Sequence, residues 1–231
     1  MGGMGAMFYA SQRPGYFGSA GASQGTLSMQ RPEFQLDPVF EALVEQDPKA
    51  IFGDPQAQEF YWAGHNPARL VANLAQTRLY VAVGDGVPAE DESPGPGQLS
   101  EAEVRTQSED FVAAAREAGT RVTYRPQRGT HDWPSRRRHL AYAIHEWGLF
   151  EPTVKGPTSW AYKTVARRGR MWGFRFRFAN PPERVNAFSL DGNRLRGRGS
   201  GKVKIRTPAG CRFVVVLPFD RKLSPRCGRR R

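Results

Sequence analysis

Leu79 to Val83 is an almost continuous apolar run, the pattern of a strand buried on both faces of a parallel sheet. It ends in Gly84-Asp85-Gly86. From Glu101 to Ala118, Val104, Phe111, Val112 and Ala115 recur on one helical face, and Ser100 stands where an N-cap belongs. Arg121 to Arg125 alternates as a short strand, and Ser135 to Trp147 carries Leu140, Ile144 and Trp147 at helical spacing. Earlier in the chain, Gly2 to Ala10 predicts a helix of very small residues, able to pack closely against a sheet and ending before Pro14. Tyr16 to Ser23 predicts a short buried strand and a loop, and Pro38 to Gln46 a short helix inside a long excursion. Phe60 to Pro67 is an aromatic turn feeding a helix over Ala68 to Leu74, with Pro67 at its first position. The order of strands and helices implies right-handed crossovers and a parallel sheet.

After Phe150 the period becomes two. Trp172 to Phe178 alternates aromatic and basic residues, as a strand with one apolar and one charged face does. Arg184 to Leu190, Lys202 to Thr207 and Cys211 to Leu217 are further strands, separated by Asp191-Gly192-Asn193 and Pro208-Ala209-Gly210 turns. The pattern therefore predicts an α/β fold over residues 1–150, a parallel sheet with flanking helices. A small all-β, sandwich-like domain follows over 151–222, and a disordered basic tail over 223–231.

Charge sharpens that division. The net +12 of the whole chain conceals 13 Lys+Arg against 18 Asp+Glu in residues 1–150, leaving −5, and 21 against 4 in residues 151–231, leaving +17. Two different electrostatic objects are joined near Glu151-Pro152. No apolar run is long enough to span a membrane. The opening Met-Gly-Gly-Met-Gly-Ala-Met lacks the basic region and long apolar stretch of a secretory signal, so no export signal is expected in this chain. Cys211 and Cys227, the only two cysteines, have no histidines at metal-ligand spacing and are read as either a disulfide or two thiols. His139 and His145 stand six residues apart on one helix, face different sides, and read as solvated. Arg136-Arg137-Arg138 reads as a solvated helix start. Neither a metal nor a cofactor is expected.

The candidate chemistry sits in Arg128-Gly129-Thr130-His131-Asp132-Trp133, a loop that places a histidine between a strand and a helix. A histidine at the carboxyl edge of a strand in an α/β pattern is where a general base belongs. Four stretches, in this order and spacing, resemble the C-terminal part of the esterase family of α/β-hydrolases, in particular its mycolyltransferase-like branch. They are Met1-Gly2-Gly3-Met4-Gly5; His65-Asn66-Pro67 with the run from Leu70 to Val81; Gly84-Asp85-Gly86 with Glu101 to Arg105; and Gly129 to Trp133. The resemblance implies an esterase or acyltransferase using a Ser-His-Glu triad on an acyl-ester substrate. By position His131 is its base and Glu101 its orienting acid, with Asp85 as the alternative acid, while a first-turn glutamate favoured by the helix dipole is the structural alternative for Glu101.

In the Gly-x-Ser-x-Gly elbow of such enzymes, Met1 matches the residue after serine and Gly2 the closing glycine. The expectation is that the chain starts just after the nucleophile, that it is inactive alone, and that the Met1 backbone N–H occupies the first oxyanion-hole position. The resemblance places His65 and Asn66 at the groove or in a structural turn. Trp62 and Trp133 either flank the acyl chain or belong to the core. It also implies a secreted or cell-envelope location for the complete protein.

A rival reading starts from the β domain. Arg175, Arg177, Arg194, Arg196, Arg198, Lys202, Lys204 and Arg206 predict a positive face able to hold an anionic cell-envelope polymer, a lipid surface or, without sequence specificity, nucleic acid. The first part of the chain would then be a catalytically silent remnant. The oligomeric state is not readable.

Overall fold

A computed structural model of the chain describes residues 2–31, 47–151 and 157–224. The expected helix over 38–46, the basic tail beyond 224, Met1 and Cys227 lie outside the described residues. Two compact units are formed, one from Met1–Ser11, Phe17–Met29 and Asn66–Val154, the other from Gln12–Tyr16, Gln30–His65 and Lys155–Arg231. The described residues 47–65 thus group with the C-terminal strands. Among the described residues no helix is long and apolar enough to cross a membrane.

The first unit holds a three-stranded parallel sheet in the order β1 (Ser19–Ser23), β2 (Arg78–Val83), β3 (Val122–Pro126). Five of the six residues of β2 are buried, as its continuous apolar run requires of a central strand. Helix α1 (Gly2–Gln12) packs on β1, and both are built from small residues for a geometric reason. A Cβ on Gly3 would lie 3.0 Å from the Gly25 Cα and 3.1 Å from the Ala22 Cβ, so a larger residue there would push the helix off the strand.

Helix α5 (Gly97–Glu117) closes this core with Phe111 and Ala115, beside Met7, Leu27, Leu74 and Val81. It starts one turn before the expected place: Pro96, with φ −58° and ψ −25°, is already helical, so Ser100 lies inside the helix and is not its N-cap. Ahead of β2, a short helix α4 (Pro67–Leu70) continues as a 3₁₀ turn over Val71–Leu74. Helix α6 (Trp133–His145) buries Ser135, His139 and Ala143 instead of the expected stripe. Leu140 is 54% exposed, because Tyr80 and Ala82 of β2 take their contacts from Ala143 and Tyr142.

Among its described residues the second unit contains two short helices, α2 (Pro48–Phe52) and α3 (Glu59–His65), and eight antiparallel strands. These are β4 (Ser159–Thr164), β5 (Arg168–Met171), β6 (Phe174–Phe178), β7 (Asn186–Asp191), β8 (Arg194–Arg198), β9 (Lys202–Arg206), β10 (Arg212–Val216) and β11 (Phe219–Lys222). They form two four-stranded sheets, ordered β10-β9-β6-β5 and β11-β8-β7-β4. The two sheets share one aromatic core, with Tyr162 and Phe188 from one and Phe174, Phe176, Phe178 and Ile205 from the other. Strict alternation puts those rings inside and the intervening arginines outside. Cys211 is disulfide-bonded.

The cations expected to form one positive face are divided. Arg175, Arg177, Lys202 and Lys204 belong to β6 and β9 of one sheet, whereas Arg196 and Arg198 belong to β8 of the other. Sheet order, not sequence proximity, decides this.

Candidate functional site

All three parallel strands release the chain at one edge, and the polar residues of interest gather there. After β2, Gly84 turns the chain. A Cβ at this position would fall 2.1 Å from the Gly129 carbonyl oxygen and 3.0 Å from the Glu101 Cγ, so only glycine lets the two loops and the helix meet. After β3 the loop through residues 127–132 runs beside it: Gln127 donates to the Val83 carbonyl, and the Gly129 carbonyl accepts from Gly86 N–H at 2.9 Å.

Glu101, on the second turn of α5, is fully buried. A buried carboxylate needs donors, and it has two. Oε1 accepts a short bond from the Gly84 N–H, and Oε2 lies 2.8 Å from His131 Nδ1. The His131 side chain is 26% exposed, so one end of the ring meets a buried acid while the other is reachable. The contact fits a ring with its proton on Nδ1 and the Nε2 lone pair toward the reachable side. The backbone of His131 is held as well, its N–H donating to the Gly97 carbonyl at 3.1 Å.

Asp85, the alternative acid, does not reach the ring. Its Oδ1 accepts from the N–H groups of Val87 and Gly129, at 2.9 and 3.2 Å, and so stabilises the two turns around the site.

Two residues that hold the histidine loop carry no recognisable signal in the sequence. Glu92, in the acidic Pro/Gly loop, has a fully buried side chain. Its Oε2 accepts from Thr130 N–H at 2.7 Å and Thr130 Oγ1 at 3.0 Å, while Oε1 accepts from Ser135 Oγ and Arg138. Burial alone would raise this carboxyl, but the bonds from Ser135, Thr130, Arg138 and Ala89 outweigh it and hold it at about 2. Gln24, just after β1, adopts a left-handed backbone at φ 54°. Its amide donates to the Thr130 carbonyl at 2.5 Å and accepts from Arg136 Nε at 3.0 Å. Arg136 and Arg138 are therefore bonded parts of this edge and not a solvated helix start.

His139, read from sequence as solvated, is buried on α6 with Nδ1 2.8 Å from Ser23 Oγ. Burial first, then the nearby Arg138 and Arg125, depress it to about 4, so it is neutral at ordinary pH.

Of the four expected groove residues, Trp133 is 68% exposed at the start of α6, two positions from His131, with the Arg136 guanidinium 5.2 Å from its ring centre. Asn66 is buried and caps α4, its Oδ1 accepting from Ala68 N–H at 3.1 Å. Trp62 and His65 fall in the second unit. Trp62 is fully buried against Phe52 and donates its indole N–H to the Gly53 carbonyl at 3.0 Å, so it fills a core. His65 packs on Tyr61 and keeps Nδ1 2.8 Å from the Tyr61 carbonyl, and burial lowers its pKa.

A cavity of about 600 Å³ in the first unit is lined by Arg78, Arg121, Thr123 and Trp147. It opens at the amino ends of β2 and β3, the edge opposite His131, and so takes no part in this site. Among the described residues no group of three or more His, Cys, Asp or Glu side chains could hold a metal ion.

The first unit is thus a parallel sheet flanked by helices that carries, at its carboxyl edge, a buried carboxylate within hydrogen-bond distance of a half-open histidine. Residues 1–147 match the protein family described as "Putative esterase", and the chain belongs to that family. Among solved structures it is similar to the crystal structure of MPT51 (FbpC1) from Mycobacterium tuberculosis. The two are 25% identical with a TM-score of 0.51, over 62% of this chain and 54% of that one. The chain thus spans about half the length of that protein. No curated protein matches it.

Proposed function

We propose that the protein is a carboxylic-ester hydrolase or acyltransferase in which His131 is the general base and Glu101 fixes its tautomer. The observation that carries this is the 2.8 Å contact between His131 Nδ1 and a fully buried Glu101. In the reaction, His131 Nε2 takes the proton of a nucleophilic hydroxyl as it attacks the acyl carbon, and the resulting imidazolium is stabilised by Glu101. The same proton then passes to the departing alkoxide, leaving an acyl-enzyme. Water or a sugar hydroxyl resolves that intermediate by the same route in reverse.

The nucleophile in this reading is a serine at the position immediately before Met1, which makes Met1-Gly2 the second half of the Gly-x-Ser-x-Gly elbow. The Met1 N–H then becomes the first oxyanion donor. Three of the early serines are engaged elsewhere. Ser11 Oγ donates to the Phe8 carbonyl, Ser19 Oγ to the Leu149 carbonyl, and Ser23 pairs with His139, not with His131.

The test compares p-nitrophenyl ester hydrolysis by this chain and by a form extended upstream through the elbow serine. Activity confined to the extended form and abolished by H131A supports the reading. A folded, extended form without activity contradicts it.

A further inference from the structure

The outer face of the β10-β9-β6-β5 sheet is a two-dimensional array of cations. Arg168 stands directly opposite Arg177 and Arg170 opposite Arg175 across β5 and β6. Arg175 in turn faces Arg206, and Arg177 faces Lys204, across β6 and β9. On the far side Arg206 faces Arg212, and Lys202 faces Val216. All of these side chains are exposed, and the four strands contain no acidic residue. Among the described residues none of the eight cations joins a salt bridge, whereas on the other sheet Arg194 and Arg196 are both answered by Asp220, at 2.7 and 3.2 Å.

Like charges directly opposite each other in an antiparallel pair are destabilising. Five such pairs on one face raise the free energy of the uncovered protein, and an anionic layer over the face removes that repulsion. The geometry also discriminates among anions. A linear polymer would engage one row of the array and leave the others bare. Single-stranded nucleic acid binds through aromatic stacking platforms, and every aromatic ring of these strands points inward. The remaining outward residues are Val214 and Val216, 51% and 62% exposed, side by side on the edge strand β10. A planar lattice of cations bordered by an apolar edge matches a charged lipid surface, with phosphates over the arginines and the valines at the headgroup boundary.

We propose that this sheet face docks the protein on an anionic bilayer. The proposal is independent of the esterase reading, since it concerns only the second unit's own surface.

The test is co-sedimentation of the full 231-residue chain with phosphatidylcholine vesicles, with and without phosphatidylglycerol, over a range of salt. Binding is expected only to the anionic vesicles and weakens as salt rises. The variant R175Q/K204Q/R212Q is expected to lose about a hundredfold in partitioning, at roughly fivefold per cation. Its melting temperature should hold or rise, because it relieves four of the five like-charge pairs. R184Q/R194Q/R198Q removes the same charge elsewhere and should bind nearly as the parent does. V214S/V216S, with charge unchanged, should weaken vesicle binding about tenfold. Equal losses in the two arginine variants overturn the proposal, as does an unaffected R175Q/K204Q/R212Q. Binding to heparin or duplex DNA without binding to vesicles overturns it, and so does full vesicle affinity in V214S/V216S.

Discussion

Glu101 and His131 are 30 residues apart in the chain and 2.8 Å apart in space, joined across the carboxyl edge of the parallel sheet. Glu101 reaches the ring from the buried face of α5, in register with Val104, Ser108, Phe111 and Ala115. The helix that closes the core therefore also positions the acid, and its second oxygen is fixed by the Gly84 N–H.

Replacing Glu101 by Gln keeps the shape but lets an amide N–H oppose one of the two donors. In the form carrying the elbow serine, kcat for an activated ester should fall on the order of 10³–10⁴-fold while KM changes little. Steady-state kinetics separate the two constants. A proportional rise in KM with unchanged kcat would assign Glu101 to substrate binding.

Gly84→Ala should destabilise the protein by more than about 2 kcal/mol, because its Cβ would overlap the Gly129 carbonyl oxygen. Gly95→Ala, where a Cβ meets nothing within 4 Å, should be neutral or slightly stabilising. Urea unfolding of both variants makes the comparison.

Acid should weaken the first unit in two stages. His139, depressed to about 4 from 6.5, binds its proton more readily in the unfolded chain, so stability is full above 6.5 and declines as pH falls toward 4. Glu92, depressed to about 2 from 4.5, adds stability above 4.5 that is lost as pH falls toward 2. That second loss is roughly 3 kcal/mol if the whole shift is expressed. Urea midpoints measured from pH 7 to pH 3 should fall throughout. H139Q should flatten the upper stage and E92Q the lower, and a profile unaltered by either substitution would remove these groups from the account.

Phe111→Ala should cost about 3–5 kcal/mol, since Phe111 is fully buried among Met7, Leu74 and Val81. Leu140→Ala should cost within about 0.5 kcal/mol, since Leu140 lies on the exposed side of α6. The thermal melt of the Leu140 variant tests the observed face of α6 against the one the apolar spacing suggests, with the Phe111 variant as the buried reference.

Strands β2 and β6 and helix α5 were legible because their periods record burial directly. The Gly-Thr-His-Asp loop was legible because a glycine and a histidine stand between a strand pattern and a helix pattern, whereas the cap that Asp132 provides by accepting from Ser135 N–H emerged only from the structure. Glu92, Gln24 and His139 were not legible. Their importance comes from hydrogen bonds to Thr130, Arg136 and Ser23, made across 38, 112 and 116 residues of chain. The same limit explains the β domain: β4, β5, β8 and β11 are short strands whose identity depends on pairing. Arg198 and Lys202 are near in sequence yet belong to different sheets. On α6, spacing picked out Leu140 and Ile144, but Ala143 and His139 offered a smaller surface that fits closer to β2.

The claim at the centre of this account is that Glu101 holds His131 with its proton on Nδ1 and its lone pair on Nε2. Nitrogen-15 NMR of the imidazole rings near neutral pH, with His131 assigned by H131Q, measures this directly. A protonated Nδ1 with a downfield, slowly exchanging proton that disappears in E101Q is expected. An Nε2-protonated ring, or a ring whose signals ignore E101Q, would contradict it.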